Sequence, residues 1–229
     1  MSENATGPST GQPTGQPTGQ TTGHTAIDLD TWDRAQAYRW FRAYAKPHYA
    51  VTCRLDVTRL MRDRKPAGVS PFRASLWAIG AALSAVPDMR TRFRDDTVVR
   101  YDRVALSFTV ARPGGGFGYA YQDWQADFAA FDRGVQATIA TVRAGRDLSA
   151  NTASDAVAYL SCLPWLDFTA LDHATPGPED CIPRVSWGRI VPEGDRYAMA
   201  VNVQVNHAVT DGEHLGSFYS ALQEALDSA

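Results

Sequence analysis

Residues 205–218 read VNHAVTDGEHLGSF, and three of them have the chemistry of a proton-transfer site. His207 closes an alternating segment, Asp211 follows four residues later, and Gly212 comes directly after it. An unperturbed imidazole titrates near about pH 6.5, which suits a histidine to take a proton from a weak acid at neutral pH. At a strand end its ring can be held in one tautomer by backbone bonding, leaving the other nitrogen as a base. A carboxylate four residues on can pin the loop through an arginine without touching the ring, and a glycine there allows a tight entry into a helix. Plainer roles stand beside these: His207 as a packed ring, Asp211 as a helix cap.

The flanking pattern supplies the elements that must position these groups. In YAMAVNVQV, Tyr197, Met199, Val201, Val203 and Val205 fall on one face of a strand, and Ala198, Ala200, Asn202 and Gln204 on the other. After Gly212, Leu215, Phe218, Leu222 and Leu226 mark the apolar face of a final helix. His207 therefore sits where a strand hands over to a helix, a junction at which rigid elements hold a loop.

Helices and strands alternate through the rest of the chain. DTWDRAQAYRWFRAYA reads as a helix capped at Asp30 or Thr31, and its aromatics Tyr38, Trp40, Phe41 and Tyr44 suit packing. YAVTCRLDV reads as a strand, and SPFRASLWAIGAALSAV as the most apolar helix, with Ser70 as cap and Pro71 in the first turn. VVRYDRVALSFTVAR followed by PGGGFGYAY predicts consecutive strands and a hairpin, and DFAAFDRGVQATIATVRAG a helix ending at glycine. AVAYLSCLPWLDFTAL is strand-like on both sides of Pro164, and RVSWGRIVP pairs with YAMAVNVQV across EGDR. The expected class is α/β: a large mixed sheet with helices packed on it. Residues 1–25, with TGQP-like repeats, are too poor in bulky apolar residues to offset their ordering entropy and are expected to form a disordered tail. One domain is expected from near Ala26 to the end.

Bulk properties narrow the function classes. With 229 residues, 44% of them apolar, the chain can bury a sizeable core. A net charge of −3 leaves no basic footprint for nucleic acid. Cys53, Cys162 and Cys181 are odd in number and lack metal-ligand spacing, as expected of reduced thiols. No apolar run approaches a membrane span and no secretory leader is evident, so a soluble cytoplasmic protein is expected. His24, His48, His173, His207 and His214 form no HExxH or His/Cys pair, so no metal is expected. PGGGFG is a hairpin turn rather than a phosphate loop, since neither GxGxxG nor GxxxxGK occurs, and there is no GxSxG elbow.

NHAVTDGEHLGSFYSALQ resembles the HHxxxDG segment of type A chloramphenicol acetyltransferases. The HxxxDG core also occurs in dihydrolipoamide acyltransferase catalytic domains and peptide-synthetase condensation domains, which share the fold. Three further segments are similar to the chloramphenicol acetyltransferase branch: IDLDTWDRAQAYRWF, with its Trp-x-Arg; LSCLPWLDFTALD; and the hairpin VPEGDRYAMAVNVQV. The likeness spans about residues 26–227. It implies a two-layer sandwich fold, acetyl-coenzyme A as cosubstrate, a small-molecule alcohol as acceptor, and a homotrimer with active sites between subunits. By the same resemblance His207 is the general base, Asp211 the partner of a buried Arg34, and Ser161 the hydroxyl that stabilises the oxyanion. In such a trimer His207 comes from one chain, and Ser161 with most of the acceptor pocket from its neighbour. Direct attack of the alcohol on the thioester leaves the cysteines without a role.

Departures from the family pattern bear on the acceptor and the donor. Asn206 replaces the first histidine of the doublet. The acceptor pocket is expected to hold Phe41, in place of a tyrosine, with Tyr49, Tyr159, Trp165 and Ser186, the last in place of a threonine. AGVSP lacks a lysine and a tyrosine that help hold the coenzyme nucleotide, so Ser70 and Arg189 are the candidates for that site. These changes keep open a biosynthetic acyltransferase with another acceptor or acyl donor. They equally keep open a redirected member that performs proton transfer or cyclisation in the same pocket.

Overall fold

The structure, a computed structural model, describes residues 23–145 and 154–228. The TGQP-like repeats lie outside these residues, and regular structure begins two residues before Ala26, with strand β1 (His24–Ile27). Helix α1 (Ala35–Arg42) and strand β2 (His48–Asp56) come next. Helix α2 (Pro71–Ala85) precedes strands β3 (Thr91–Arg94), β4 (Thr97–Tyr101), β5 (Ala105–Ala111) and β6 (Phe117–Asp123). Helix α3 (Phe128–Arg143), strands β7 (Val157–Leu163), β8 (Arg184–Glu193) and β9 (Arg196–Asn206), and helix α4 (Gly212–Ser228) complete the order.

Six strands form one sheet in the order β2-β9-β8-β7-β5-β6. Its pairs are antiparallel except those that β7 makes with β5 and β8, which are parallel. Parallel neighbours need a long crossover. The β6–α3 passage supplies one, and the irregular stretch 164–183 supplies the other. The α/β class and the large mixed sheet follow the sequence pattern.

The core lies where the helices meet one face of this sheet. Met199, Val201, Val203 and Val205 of β9 share it with Phe108, Trp187, Phe218 and Leu222, each at most 2% exposed. Full burial of such side chains contributes about 1.5–3 kcal/mol apiece. α2 is buried on nearly every side, between α4 and α3, which explains its continuous apolar sequence. It starts as expected: Ser70 Oγ accepts from the Arg73 amide at 3.5 Å and Pro71 takes the first helical position. Among the described residues no helix is long and apolar enough to cross a membrane.

The opposite face of β9 is also buried, and it is polar. Asn202, Gln204 and Asn206 are each at most 2% exposed. Their amides reach into the β7–β8 connection: Asn202 Nδ2 donates to Leu171 O (3.1 Å), and Asn206 Nδ2 to Pro178 O and Asp180 O (2.9 and 3.1 Å). Gln204 grips the His173 backbone twice, accepting its N–H at 2.6 Å and donating to its carbonyl at 3.1 Å.

Three expectations change. A second sheet, β1-β4-β3, was not evident from the sequence because its strands are only four or five residues long, too short for a clear alternation. α1 begins at Ala35 rather than at Asp30 or Thr31, because Asp28 gathers the Asp30 amide and the Thr31 hydroxyl into a turn. β7 stops at Leu163: Pro164 has no amide to donate, and the chain turns through Leu166 N–H to Leu163 O (3.0 Å).

That turn rests on a bulge of β8. The Arg189 amide donates to Leu166 O at 2.7 Å, and a Cβ at Gly188 would lie 2.6 Å from the same oxygen. Gly188→Ala is therefore expected to force the 163–166 turn off the sheet at a cost of about 1–3 kcal/mol. A thermal midpoint equal to that of the parent protein would refute the close approach.

Candidate active site

His207 occupies the turn between β9 and α4, and its backbone is held on every side. Its amide donates to Pro47 O (2.9 Å), and the Thr210 amide donates to Asn206 O (3.1 Å). The Asn206 side chain accepts from the Ala208 amide at 3.0 Å, so the residue in place of a doublet histidine shapes the turn. Ala208 and Val209, at most 1% exposed, anchor it in a small second core with Tyr38, Phe93, Val98 and Cys181.

The imidazole stacks on Phe41, with centroids 3.8 Å apart and planes 6° from parallel, and leans on Tyr49 at 4.6 Å. Nδ1 is buried, with no hydrogen-bond partner among the described residues. The backbone bond expected to fix the tautomer is absent there, and two aromatic rings set the plane instead.

Arg34, projecting from the start of α1, fastens the turn at two points. Nη2 donates to His207 O at 3.1 Å, and Nη1 pairs with Asp211 Oδ2. The Arg34 side chain is 10% exposed, so the guanidinium is largely withdrawn from water, while the Asp211 side chain is 33% exposed. Burial opposes ionisation of Asp211, but the charges of Arg34 and His214, with their hydrogen bonds, outweigh it and hold the carboxyl below its ordinary range. His214 Nδ1 lies 3.0 Å from Asp211 Oδ1, and Nε2 faces Asp88 at 3.6 Å. Burial, then the Asp211 charge, pushes the Tyr49 phenol up to about 12, so it stays protonated; it donates to Thr210 O at 3.4 Å. Gly212 opens α4 without a left-handed φ, and its Cβ direction is empty, so the entry to the helix does not require glycine.

Ser161 lies elsewhere. On β7 it stands level with Ser186 on β8, which stands level with Asn202 on β9. His207 is five residues beyond Asn202 and two strands across from β7, so about 16 Å along the sheet and about 10 Å across it separate the two groups. Ser161 opens into a cavity of about 300 Å³ with Thr109, Tyr119, Tyr159, His173 and Arg184. Ser186 is fully buried behind this wall, and its Oγ is 3.0 Å from His173 Nε2. Trp165, 67% exposed, extends from the turn past Pro164. Neighbouring Cys162 is held up at about 12 by burial, so it remains a thiol. Arg189 is exposed on the β8 bulge, and Ser70 borders a separate cavity of about 500 Å³ with Phe72, Arg73 and Arg143.

The expected site residues thus fall into separate groups within one chain: Arg34, Phe41, Tyr49, His207 and Asp211 at one end of the sheet, Tyr159 and Ser161 further in, Ser70 and Arg189 apart. Sequence reasoning passed over His173 and the roles of Gln204 and Asn206. His173 lies in LDHATPGPED, which has no periodicity to reveal a buried side. Among the described residues no cluster of His, Cys, Asp or Glu could hold a metal ion.

This arrangement has relatives. The chloramphenicol acetyltransferase family profile matches residues 22–223. Chloramphenicol acetyltransferase 2 of Escherichia coli is 28% identical over 208 residues, covering 89% of this chain and 97% of its own. The enzyme of the same name from Haemophilus influenzae is 26% identical, with the same coverage. A solved chloramphenicol acetyltransferase superposes with a TM-score of 0.83 at 23% identity, over 89% of this chain and all of that one. The dihydrolipoamide acetyltransferase of Azotobacter vinelandii shares the fold, with a TM-score of 0.62 at 18% identity over 84% of this chain and 86% of that one. The chain belongs to the chloramphenicol acetyltransferase family and is an acyltransferase.

Proposed function

We propose that this acyltransferase moves an acetyl group from acetyl-coenzyme A to a hydroxyl of a small-molecule alcohol, with chloramphenicol as acceptor and His207 as general base. One observation carries the reading: Arg34 binds both His207 O and the Asp211 carboxylate, so the turn bearing the imidazole is fixed before any substrate arrives. Such preorganisation is what a general base requires.

The cosubstrate supplies an activated acetyl thioester. His207 takes the proton of the acceptor hydroxyl through Nε2, the nitrogen opposite the buried Nδ1. The Ser161 hydroxyl donates to the carbonyl oxygen on which negative charge develops, and the proton on His207 then returns to the departing thiolate. The donor set around Ser70 fits an anionic ligand: Arg73 is paired with Asp132, which leaves the Arg143 guanidinium for a phosphate. Arg189, exposed on β8, offers a second cation. The separation between His207 and Ser161 within one chain calls for a second subunit at each site, and the family resemblance makes that assembly a homotrimer in which each site takes His207 from one subunit and Ser161 from the next.

Acetyl-coenzyme A, chloramphenicol and a thiol-detecting reagent test the reading directly. Acceptor-dependent thiol release is expected; its absence with either substrate bound would reject the proposed reaction. His207→Ala is expected to abolish turnover with an unchanged thermal midpoint, and Ser161→Ala to lower kcat by about 10²–10³. Wild-type rates in the His207 variant would remove the general base.

Asp211→Asn probes the fastening. Because the folded carboxyl is held below its ordinary range, its charge stabilises the fold above about pH 3.9 and the contribution is lost as pH falls through the depressed folded value. With a third of the Asp211 side chain exposed, the variant is expected to lose about 1–2 kcal/mol at pH 7. The gap from wild type should close in acid denaturation, and a gap constant with pH would show that the charge contributes nothing.

A further inference from the structure

Arg34 takes one oxygen of the Asp211 carboxylate, Oδ2, and a group held at one oxygen can still swing about that contact. The other oxygen, Oδ1, accepts from the Glu213 amide at 3.2 Å and lies 3.0 Å from His214 Nδ1. The same Nδ1 is 3.1 Å from the Asp211 amide, so the His214 ring serves residue 211 in either protonation state. Bare, it accepts the amide proton; protonated, it donates to Oδ1. This is the reciprocal pattern of a capping box, with an imidazole where a glutamate usually stands. We propose that His214 is a positioning residue for the proton transfer at His207: it fixes the second oxygen of Asp211 and, through Arg34, the place of the His207 carbonyl. The proposal rests on the general-base reading of His207.

The ring can do this only if it is itself anchored. Its Nε2 faces Asp88 Oδ2 at 3.6 Å, and the two side chains are 23% and 14% exposed. Asp88 sits in the short turn Pro87–Arg90, which the fully buried Met89 fastens to the main core. Its carboxylate also pairs with Arg100 of β4 at 3.4 Å, and its carbonyl accepts from the Thr210 hydroxyl at 3.5 Å. A chain of contacts therefore runs from Arg100 through Asp88, His214, Asp211 and Arg34 to His207 O, across β4, the 87–90 turn, α4 and α1. Arg34 alone would join the His207 turn to α1; His214 joins it to the main core as well. A reacting group displaced by about 1 Å can lose about 100-fold in rate, so the remaining freedom of the Asp211 carboxylate bears on turnover. Because His214 acts only through Asp211, its loss should tell on kcat rather than on substrate binding.

Turnover of acetyl-coenzyme A and chloramphenicol is measured by thiol release for the wild type, His214→Ala, His214→Asn, Asp211→Asn and the double variant of His214→Ala with Asp211→Asn. The His207 imidazole nitrogens are observed by NMR in the same proteins. His214→Ala should lower kcat by about 10–100-fold, with KM for both substrates within about twofold of wild type. His214→Asn, whose side-chain amide can meet either the Asp211 amide or Oδ1, should recover most of the loss. The His207 signals should move in the alanine variant and return in the asparagine one. The double variant should lose no more than Asp211→Asn alone, since the two residues share one contact. Wild-type kcat in His214→Ala, a change confined to KM, or losses that multiply in the double variant would overturn the proposal. Should the alanine variant fail to fold, Asp88→Asn removes the charge behind the ring, and unmoved His207 signals with unchanged kcat would overturn it likewise. His207 signals that answer to His214 without acceptor-dependent thiol release would uphold the positioning while rejecting acetyl transfer.

Discussion

β9 is buried on both faces, and much of the molecule answers to that one constraint. Its apolar row meets the helices and is satisfied by contact alone. Its amide row faces protein rather than water, where each unpaired polar group costs about 1–3 kcal/mol. Leu171, His173, Pro178 and Asp180 accept from the amide nitrogens, while Asn202 Oδ1 has no partner among the described residues, so a stretch without regular structure is tied along the sheet by these donors. Two members of the ladder also position candidate site residues. Gln204 sets the wall beside Ser161 through His173, and Asn206 sets the turn of His207.

The small sheet plays the corresponding part for β7. Arg92 on β3 is fully buried and spends its guanidinium on four carbonyls: Met89, Thr91, Asp155 and Val157. Hydrogen bonds to all sides are what make such a charge tolerable inside a protein. Asp155 precedes β7 and Val157 opens it, so the strand that carries Ser161 is tied to Arg92, whose neighbour Phe93 belongs to the small core that receives Ala208 and Val209 from the His207 turn. Two distant candidate groups thus share one anchoring region.

What was legible in the sequence was whatever a period or a cap announces. Ser70-Pro71 marked the start of α2, the alternation of 197–205 marked β9, and the family resemblance, through its Trp-x-Arg segment, named the Arg34–Asp211 ion pair that the structure contains. The rest failed for physical reasons. Alternation separates apolar from polar faces but does not say whether the polar one meets water, so Asn202 and Gln204 gave no hint of a buried ladder. His173 belongs to a stretch whose shape is imposed by partners thirty-one residues away in sequence. Ser186 occupies the aligned position of a pocket residue, yet here a histidine stands in front of it.

The exposed surface bears on why two copies suit the proposed chemistry. Trp40 is 65% exposed on α1, one residue from the Phe41 that stacks on His207. Trp165 is 67% exposed, four residues past Ser161. Each half of the separated site therefore carries a large apolar side chain facing outward, and covering such a ring contributes about 1.5–3 kcal/mol. Such a contact would also displace water, which competes for the imidazole and the serine hydroxyl. A subunit boundary drawn through the site would let one burial event both hold the copies together and dry the cavity in which the base must act.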